Sequence, residues 1–368
     1  MKNRAGFVLL VVTLVLSMTN SAFAFQELSN SPQEDYIIDP TATSPLAQSI
    51  FDFEIIPLGV NEEVLLPKIR ILGVFKNRIF VTSHQLRRNK VYVFDQAGKY
   101  INTIDIAGQG PGEYTAISNV IALHSDKFAL QDIMGQKLIE IDANGEYLSE
   151  IKLSVGVNSI TKIEGGYAAS VRDEFVSEKG AIVIYDKQFK LKNSFLYREP
   201  VKGPIANNSN LVSLADGFAY LPFNETGVYH GTQSEVWSAY YFDFGRFNPE
   251  LTPSGVPQIK DKVALLSLSE SNSHLFLNYT LGFGNHILTA VQKESGFVIN
   301  TTLKEVIGDD LPGFSASDSE WFYLPVSSYF TEKLFKSLSV KDGDLTGGVT
   351  LEKTIESENP VILKVKFF

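Results

Sequence analysis

The sequence predicts an all-β fold, and three observations support this prediction. Hairpin-like segments recur along the chain, each is accompanied by further strand-like runs, and helical periodicity is nearly absent. Aromatic residues make up 12% of the chain, with 26 Phe and 15 Tyr, and such side chains suit the half-buried surface of a pleated sheet. The one segment with helical character is Thr331–Leu338, which predicts a short helix inside an insertion.

The clearest repeat is a pair of strands around a tight turn. Residues 90–100 read KVYVFDQAGKY and residues 137–147 read KLIEIDANGEY, an offset of 47 residues. Gly98 and Gly145 supply the positive φ that such a turn requires. A third copy, AIVIYDKQF, is interpreted with Gln188 at the glycine position, which predicts a different turn. Fainter copies, at a spacing of about 57 residues, are WSAYYFDFG (237–245) and ILTAVQKESGFVIN (287–300).

Units of four strands that repeat at about 40 to 50 residues are typical of propeller blades. A sixth unit is incomplete, but the segment FDFEIIPL at residues 51–58 can supply its missing outer strand and so remove an open sheet edge. The sequence therefore predicts a six-bladed β-propeller over residues 48–368, closed by N- and C-terminal strands. The alternative is a solenoid or a pair of sandwiches. The five complete units lie near 68–106, 117–153, 158–196, 209–245 and 263–305, and the sixth has strands near 321–327 and 360–368.

The first 24 residues have the pattern of a secretory signal peptide. Lys2 and Arg4 precede an apolar run, and Ala22-Phe23-Ala24 is a small-x-small site that predicts cleavage after Ala24. The apolar run is shorter than the roughly 20 residues of a membrane span, although an uncleaved anchor is the alternative interpretation. We expect residues 25–47 to form a linker and the mature chain to be periplasmic or secreted.

Composition excludes several classes of partner and chemistry. The net charge of −10, without a dense basic patch, argues against nucleic acid and anionic membrane as partners. The chain has no cysteine, so it has neither a lipobox nor a thiol nucleophile, and its core must stabilise the fold without disulfides. We expect a monomer without a membrane span after cleavage.

The segment GQGPGEY at residues 108–114, which follows VFDQAGKY, resembles the connecting loop of NHL-type propeller repeats. With EIIPL at 54–58 and NPVILKVKF at 359–367, the chain resembles the six-bladed β-propeller proteins of Bacteroidetes-type bacteria, which are NHL-like or TolB-like. This resemblance spans about residues 50–368 and implies a propeller of uncharacterised function. NHL repeats carry a Pro soon after the Glu-aromatic pair, and here Thr115 to Ser118 follow without one.

The glycine-rich loop has a structural interpretation and a functional one. It predicts a connector between blades, because no Lys-Ser/Thr follows it as in a phosphate-binding loop; a direct ligand contact is the alternative. In a four-stranded meander, this connector and the turn between the second and third strands lie on the same face, where propellers most often bind ligands. Polar residues of that face are either binding residues or ordinary solvated turn residues. The candidates are His84, Arg87, Glu113, Asp132, Arg172, Asp173 and Asn224.

No catalytic or metal-binding motif is present in the sequence. The five histidines lack ligand spacing, and no G-x-S-x-G elbow occurs. His84, His230 and His286 are predicted near the binding face, which leaves a metal in the central channel as an alternative. The sequence therefore favours an exported, non-catalytic binding or scaffold propeller without a cofactor, whose ligand is an unidentified protein, peptide or glycan. A lactonase- or lyase-like propeller enzyme with a channel metal is the alternative.

Overall fold

The computed structural model describes residues 34–43, 51–60, 64–66, 69–75, 77–83, 90–123, 126–200, 210–252, 256–258, 260–282, 285–301, 316–318 and 320–367. Within these residues the chain forms six sheets. The predicted signal peptide lies outside the described residues, as do His84, Arg87 and His124.

The strands are short, and in the blades the second strands are buried more fully than the outer ones. In chain order they are β1 (Glu34–Ile37), β2 (Phe51–Pro57), β3 (Ile69–Phe75), β4 (Arg78–Ser83), β5 (Val91–Phe94), β6 (Tyr100–Ile104), β7 (Ile117–Ala122), β8 (Phe128–Asp132), β9 (Lys137–Ile141), β10 (Tyr147–Lys152), β11 (Val157–Ile163), β12 (Gly166–Val171), β13 (Ile182–Asp186), β14 (Leu191–Phe195), β15 (Asn210–Leu214), β16 (Gly217–Leu221), β17 (Gly227–Gly231), β18 (Val236–Asp243), β19 (Val263–Glu270), β20 (His274–Leu281), β21 (Asn285–Gln292), β22 (Val298–Thr301), β23 (Ala316–Ser317), β24 (Phe322–Val326) and β25 (Val361–Phe367).

The sheets form the six blades of a β-propeller, which confirms the predicted fold. Blades one to five are antiparallel meanders of four consecutive strands each, β3–β6, β7–β10, β11–β14, β15–β18 and β19–β22. The first strand of each blade contacts the first strand of the next, and β23 contacts both β19 and β3. The first strands therefore line the centre, and the ring is closed.

The sixth blade contains strands from both ends of the chain. Its order is β23-β24-β25-β2, and β2 pairs with β25 in an unbroken antiparallel register from Phe51↔Phe367 to Pro57↔Val361. Beside this pair, the buried Asn359 side chain accepts from the Leu66 amide at 2.9 Å and donates to the Val64 carbonyl at 2.7 Å. This confirms the predicted closure by the terminal strands.

The helices lie between strands rather than within the blades. They are α1 (Val176–Lys179), α2 (Ser328–Leu338) and α3 (Leu351–Glu356). The helix predicted at Thr331–Leu338 is confirmed, with three more residues at its start. Its buried residues Thr331, Leu334, Phe335 and Leu338 repeat at helical spacing, so one face of α2 packs on blade six.

The repeated turn between the third and fourth strands is held by an aspartate. Asp95 Oδ1 accepts the amides of Ala97 and Lys99, both at 2.9 Å, and Gly98 has a φ of 82°. A Cβ at Gly98 would lie 1.9 Å from the Pro57 carbonyl oxygen, so glycine is required there on two grounds.

The prediction of a different turn in the third copy is wrong. Phe189, not Gln188, occupies the glycine position, and Asp186 makes the same hydrogen bonds to Gln188 and Lys190. Phe189 adopts a φ of 57°, a conformation that costs a residue with a side chain about 1–2 kcal/mol. Its ring stacks on Tyr167 with centroids 4.2 Å apart, and this contact offsets the cost.

The stretch predicted as a linker contains a strand. β1 pairs in parallel with β18, the outer strand of blade four, from Glu34↔Tyr240 to Ile37↔Asp243. Tyr36 is buried there, with its ring 6.0 Å from that of Phe242. Blade four therefore has five strands.

We expect loss of core packing at the closing strand to destabilise the whole ring. Ile55 on β2 is fully buried, so Ile55→Ala should lower the free energy of unfolding by about 2–5 kcal/mol, measured by urea denaturation. Asp52→Asn on the exposed side of the same strand is the control and should change it by less than about 0.5 kcal/mol. Equal effects of the two substitutions would contradict a structural role for this strand.

Candidate functional site

The strand order gives the ring two different faces. The connector face carries the turns between second and third strands and the connections between blades; the hairpin face carries the other turns. Glu113, Asp132, Arg172, Asp173 and Asn224 all lie on the connector face, as the sequence predicts. The structure assigns them different contacts, and their role in binding remains a prediction.

Glu113 folds the glycine-rich loop back on itself. Its carboxylate accepts the Gly110 amide at 2.8 Å, and a Cβ at Gly108 would lie 1.9 Å from Glu113 Oε2. The glycine at 108 thus makes room for the carboxylate, and the carboxylate satisfies the backbone of the loop. These contacts support the interpretation of the loop as a blade connector.

Asp132 holds the same connector from the neighbouring turn. Its side chain is fully buried and accepts the amides of Thr115 and Ala116, both at 3.0 Å. A carboxylate that accepts two backbone N–H groups fixes the position of the chain entering blade two.

Arg172 and Asp173 begin the second turn of blade three, and Asn224 lies in the corresponding turn of blade four. Arg172 forms an ion pair with Glu174 at 2.5 Å. Asp173 instead reaches across to Arg198, in the connector that leaves blade three, at 2.6 Å. Asn224 has a φ of 58° and precedes Glu225.

Four side chains from separate segments meet where blades three and four adjoin, and we call this group the seam site: Asp173, Arg198, Tyr220 and Glu225. Tyr220, near the end of β16, is 1% exposed and packs with the core that blade four shares with blade three. Arg198 lies within electrostatic range of the other three side chains. Sequence reasoning singled out Asp173 and Asn224, which precedes Glu225, but it missed Arg198 and Tyr220.

The electrostatics of the seam site follow from its burial. Burial raises the pKa of Glu225, with the charge of Asp173 in the same sense and the charge of Arg198 against it. Burial opposes the charge of Arg198, but the nearby Tyr220, Asp173 and Glu225 outweigh it and raise the pKa of the guanidinium. Burial also raises the pKa of the Tyr220 hydroxyl. Arg198 thus acts on the carboxylates of both Asp173 and Glu225.

Buried polar atoms without a hydrogen-bond partner in the described part of the chain are concentrated at the connector face. Each such atom costs about 1–3 kcal/mol relative to a satisfied one, and natural proteins contain few of them. The seam site contributes two of these atoms, Tyr220 Oη and Arg198 Nε. The others at this face are Arg70 Nε, Ser83 Oγ, Gln131 Oε1, His286 Nδ1 and Thr301 Oγ1.

A second polar cluster lies between blades four and five on the hairpin face. The Glu270 carboxylate, with its side chain 1% exposed, accepts from Lys293 Nζ at 2.6 Å, pairs with His230 Nε2 at 3.0 Å and accepts from the Tyr240 hydroxyl at 3.2 Å. Burial opposes its charge, but His230 and Lys293 outweigh burial and hold the pKa of Glu270 below its ordinary value.

The placement of His230 corrects one expectation. His230 is the penultimate residue of β17 and lies beside the turn to β18, so it is on the hairpin face and not near the predicted binding face. His286, the second residue of β21, lies on the connector face as expected. No three His, Asp or Glu side chains in the described ranges are placed to hold a metal ion together. None of the helices that the structure describes is long and apolar enough to cross a membrane.

Comparison with known proteins gives a family and a fold. Residues 36–366 match the family model described as Domain of unknown function (DUF4934). No curated protein matches the chain. The comparisons do not distinguish the NHL-like subtype, which stays a prediction.

Two solved structures from Bacteroides share the propeller. A "putative exported protein" of Bacteroides fragilis NCTC 9343 aligns with a TM-score of 0.69 at 18% identity, covering 92% of this chain and 100% of that one. A member of the DUF4221 family from Bacteroides vulgatus ATCC 8482 aligns with a TM-score of 0.50 at 10% identity, covering 88% and 100%. At these identities the likeness shows the fold alone.

Asp132 should matter for stability through the connector amides that it accepts. Asp132→Ala leaves two amides without their acceptor, so we expect the free energy of unfolding to fall by about 2–4 kcal/mol in urea denaturation. The exposed Asp216 serves as control, and Asp216→Ala should change it by less than about 0.5 kcal/mol. Full stability of Asp132→Ala would contradict this role.

Glu270 should stabilise the fold in a pH-dependent way. Because the folded-state pKa is lowered, the stabilisation is present above the unfolded pKa of about 4.3 and is lost as the pH falls through the folded value. Glu270→Gln should therefore cost about 3 kcal/mol near neutral pH, and the difference from wild type should shrink below about pH 4. Urea denaturation across this pH range measures it, with the exposed Glu294→Gln as control. A difference that does not depend on pH would refute the assignment.

Proposed function

Since the chain belongs to the DUF4934 family, whose function is unknown, we propose a function from the site itself: an exported, non-catalytic propeller that binds a polar ligand at its connector face. One observation carries the proposal. The seam site brings together Asp173, Arg198, Tyr220 and Glu225 from two blades, and the Tyr220 hydroxyl lies against the Arg198 side chain while Tyr220 Oη and Arg198 Nε make no well-formed hydrogen bond in the described chain. Polar groups held in this costly state are characteristic of sites whose partner is a ligand.

The arrangement suits binding better than turnover. The carboxylate of Asp173 is engaged by Arg198, and the other predicted residues of the face, Glu113 and Asp132, are engaged by backbone amides. A rigid ring with polar groups directed to one face can hold a protein, peptide or glycan without altering it. Function is here argued from the site, because a propeller fold serves many functions.

Export is the second part of the proposal. It rests on the charged n-region, the short apolar run and the Ala22-Phe23-Ala24 site, which imply cleavage after Ala24. The likeness to a "putative exported protein" agrees with it. The mature chain would act as a monomer in the periplasm or outside the cell.

Tyr220→Phe separates a binding role from a structural one. Removal of a hydroxyl that makes no well-formed hydrogen bond among the described residues should change the melting temperature little, whereas removal of a hydroxyl from a structural hydrogen-bond network should lower it. The mature protein would be screened on a glycan array and against a displayed peptide library. We expect Tyr220→Phe to bind the ligands found in these screens about fivefold to tenfold more weakly than the wild type does, as measured by titration calorimetry.

The control is Tyr197→Phe, which removes an exposed hydroxyl from the same connector as Arg198. It should leave the affinity unchanged. Ligands that bind Tyr220→Phe as tightly as the wild type would contradict a site at this seam. Chemical conversion of a retained ligand, detected by mass spectrometry, would contradict the non-catalytic role.

A further inference from the structure

Arg70, the second residue of β3, joins blade one to blade two at the connector face. Its Nη1 donates to the Ser118 carbonyl at 3.0 Å, and its Nη2 donates to the Ile117 carbonyl at 2.8 Å. The register of β7 with β8 shifts between Ile117 and Asn119, so these carbonyls lie at a β-bulge. The guanidinium therefore holds the innermost strand of blade two where its ladder is interrupted.

The next seam shows that such a contact needs no charge. Gln131 in β8 donates through Nε2 to the Val157 carbonyl at 3.3 Å and to the Asn158 carbonyl at 3.1 Å. These carbonyls lie at the corresponding bulge of blade three, where the register of β11 with β12 shifts between Val157 and Ser159. A neutral amide is thus sufficient to join one blade to the bulge of the next, and the positive charge of Arg70 exceeds what this structural role requires.

The charge of Arg70 has no counter-ion among the described residues. Its side-chain hydrogen bonds go to the two carbonyls, it forms no ion pair there, and burial lowers the pKa of the guanidinium. A partly desolvated charge of this kind is stabilised by an anion brought close to it. The carboxylates along the connector into blade two are engaged by other groups: Asp105 pairs with Lys90 at 3.0 Å, Glu150 pairs with Lys137 at 2.9 Å, Glu113 accepts the Gly110 amide at 2.8 Å, and Asp132 accepts the amides of Thr115 and Ala116 at 3.0 Å.

The guanidinium also keeps donors for such an anion. Only Nη1 and Nη2 donate to carbonyls, Nε is buried without a hydrogen-bond partner in the described chain, and Arg70 as a whole is partly exposed. A planar carboxylate matches a guanidinium in shape and carries one charge, as Arg70 does. A phosphate dianion would need a second cation, and Lys90 and Lys137 are already paired with carboxylates.

We propose that Arg70 forms an anion-binding site at the seam of blades one and two, and that this site binds a ligand through a single carboxylate group. The innermost strands line the centre of the ring, so the ligand would approach from the central opening at the connector face. The inference is independent of the seam site between blades three and four, because the two share no residue.

The test uses three probes that share a fluorinated ring and differ in their head groups. The mature protein would be titrated with 4-fluorobenzoate, 4-fluorobenzamide and 4-fluorophenyl phosphate at constant ionic strength, and binding followed by the fluorine NMR relaxation of the probe. We expect saturable binding of the benzoate and at least about fivefold weaker binding of the other two. Benzamide binding as tight as that of the benzoate would overturn the inference, and so would tighter binding of the phosphate.

Variants connect binding to this guanidinium. Arg70→Gln should weaken benzoate binding about tenfold and leave benzamide binding unchanged. The control is Arg78→Gln, because Arg78 also donates to a main-chain carbonyl, that of Ala143 at 2.9 Å, but lies at the hairpin face. It should change benzoate affinity by less than about twofold, and equal loss in both variants would overturn the inference. If Arg70→Gln does not fold, Arg70→Lys keeps the charge, and loss of the preference for benzoate over benzamide in that variant would overturn it.

The remaining outcomes separate this site from the seam site. Benzoate binding that is lost in Tyr220→Phe but kept in Arg70→Gln would place the carboxylate beside Arg198 and would overturn the inference. Absence of benzoate binding, while the ligands found in the screens remain sensitive to Tyr220→Phe, would refute the anion site and leave the proposed binding function standing. Competition with N-acetylglycine and with methyl glucuronide distinguishes a peptide terminus from an acidic sugar as the source of the carboxylate, and displacement of the benzoate by neither would overturn the inference.

Discussion

The pairing of β2 with β25 is the constraint on which the rest of the ring depends. Each blade buries its sides against two neighbours, so an array of six sheets is complete only when the last one also has its strands. Seven consecutive residue pairs, from Phe51↔Phe367 to Pro57↔Val361, supply the outer strand of blade six from the other end of the chain. Loop closure over more than 300 residues is entropically expensive, but the cost grows only slowly with length, so a continuous ladder with buried side chains outweighs it.

Ring closure also fixes the seams between blades, and both polar clusters lie at seams. The seam site joins blades three and four, and the Glu270 cluster joins blades four and five. Each cluster draws on two blades, because Asp173 lies in blade three and Tyr220 in blade four, while His230 lies in blade four and Glu270 in blade five. The chemistry of this protein therefore depends on the geometry of neighbouring sheets rather than on any local motif.

The sequence predicts the fold well because propeller blades are local. Asp-x-x-Gly turns mark blades one and two, weaker hairpin-like copies mark blades three to five, and the terminal segments show the closing strand by their apolar pattern. The parallel strand β1 was not predicted. Its partner β18 lies some 200 residues away, and a strand that pairs once in this way produces no repeated pattern in the sequence. The third turn was misassigned because Phe189 takes the left-handed conformation usually reserved for glycine, with support from Tyr167 that only the structure shows.

The site is less predictable for a physical reason. Turn residues such as Asp173 and Glu225 can be placed on a face from strand parity. Arg198 lies in an irregular connector, however, and Tyr220 reads in the sequence as one more core aromatic. Its hydroxyl is buried against Arg198 without a well-formed hydrogen bond among the described residues, which is a property of the packing of two blades and not of residue type. Whether a buried polar atom has a hydrogen-bond partner is therefore visible only in the folded structure.

The two seams of blade four differ in how far their buried carboxylates are paired, and this difference separates a structural role from the proposed binding role. Glu270 is the only carboxylate in direct contact with its described donors, His230, Lys293 and Tyr240, so its charge is fully compensated and the cluster stabilises the blades. At the seam site burial outweighs the nearby Arg198 charge and raises the pKa of Glu225, whereas His230 and Lys293 outweigh burial at Glu270 and lower its pKa. The two carboxylates shift in opposite directions because Lys293 and His230 contact Glu270 directly, whereas no described side chain forms an ion pair with Glu225. The Glu270 cluster is held by contacts among its own described side chains, whereas a ligand is the partner that we propose for the seam site.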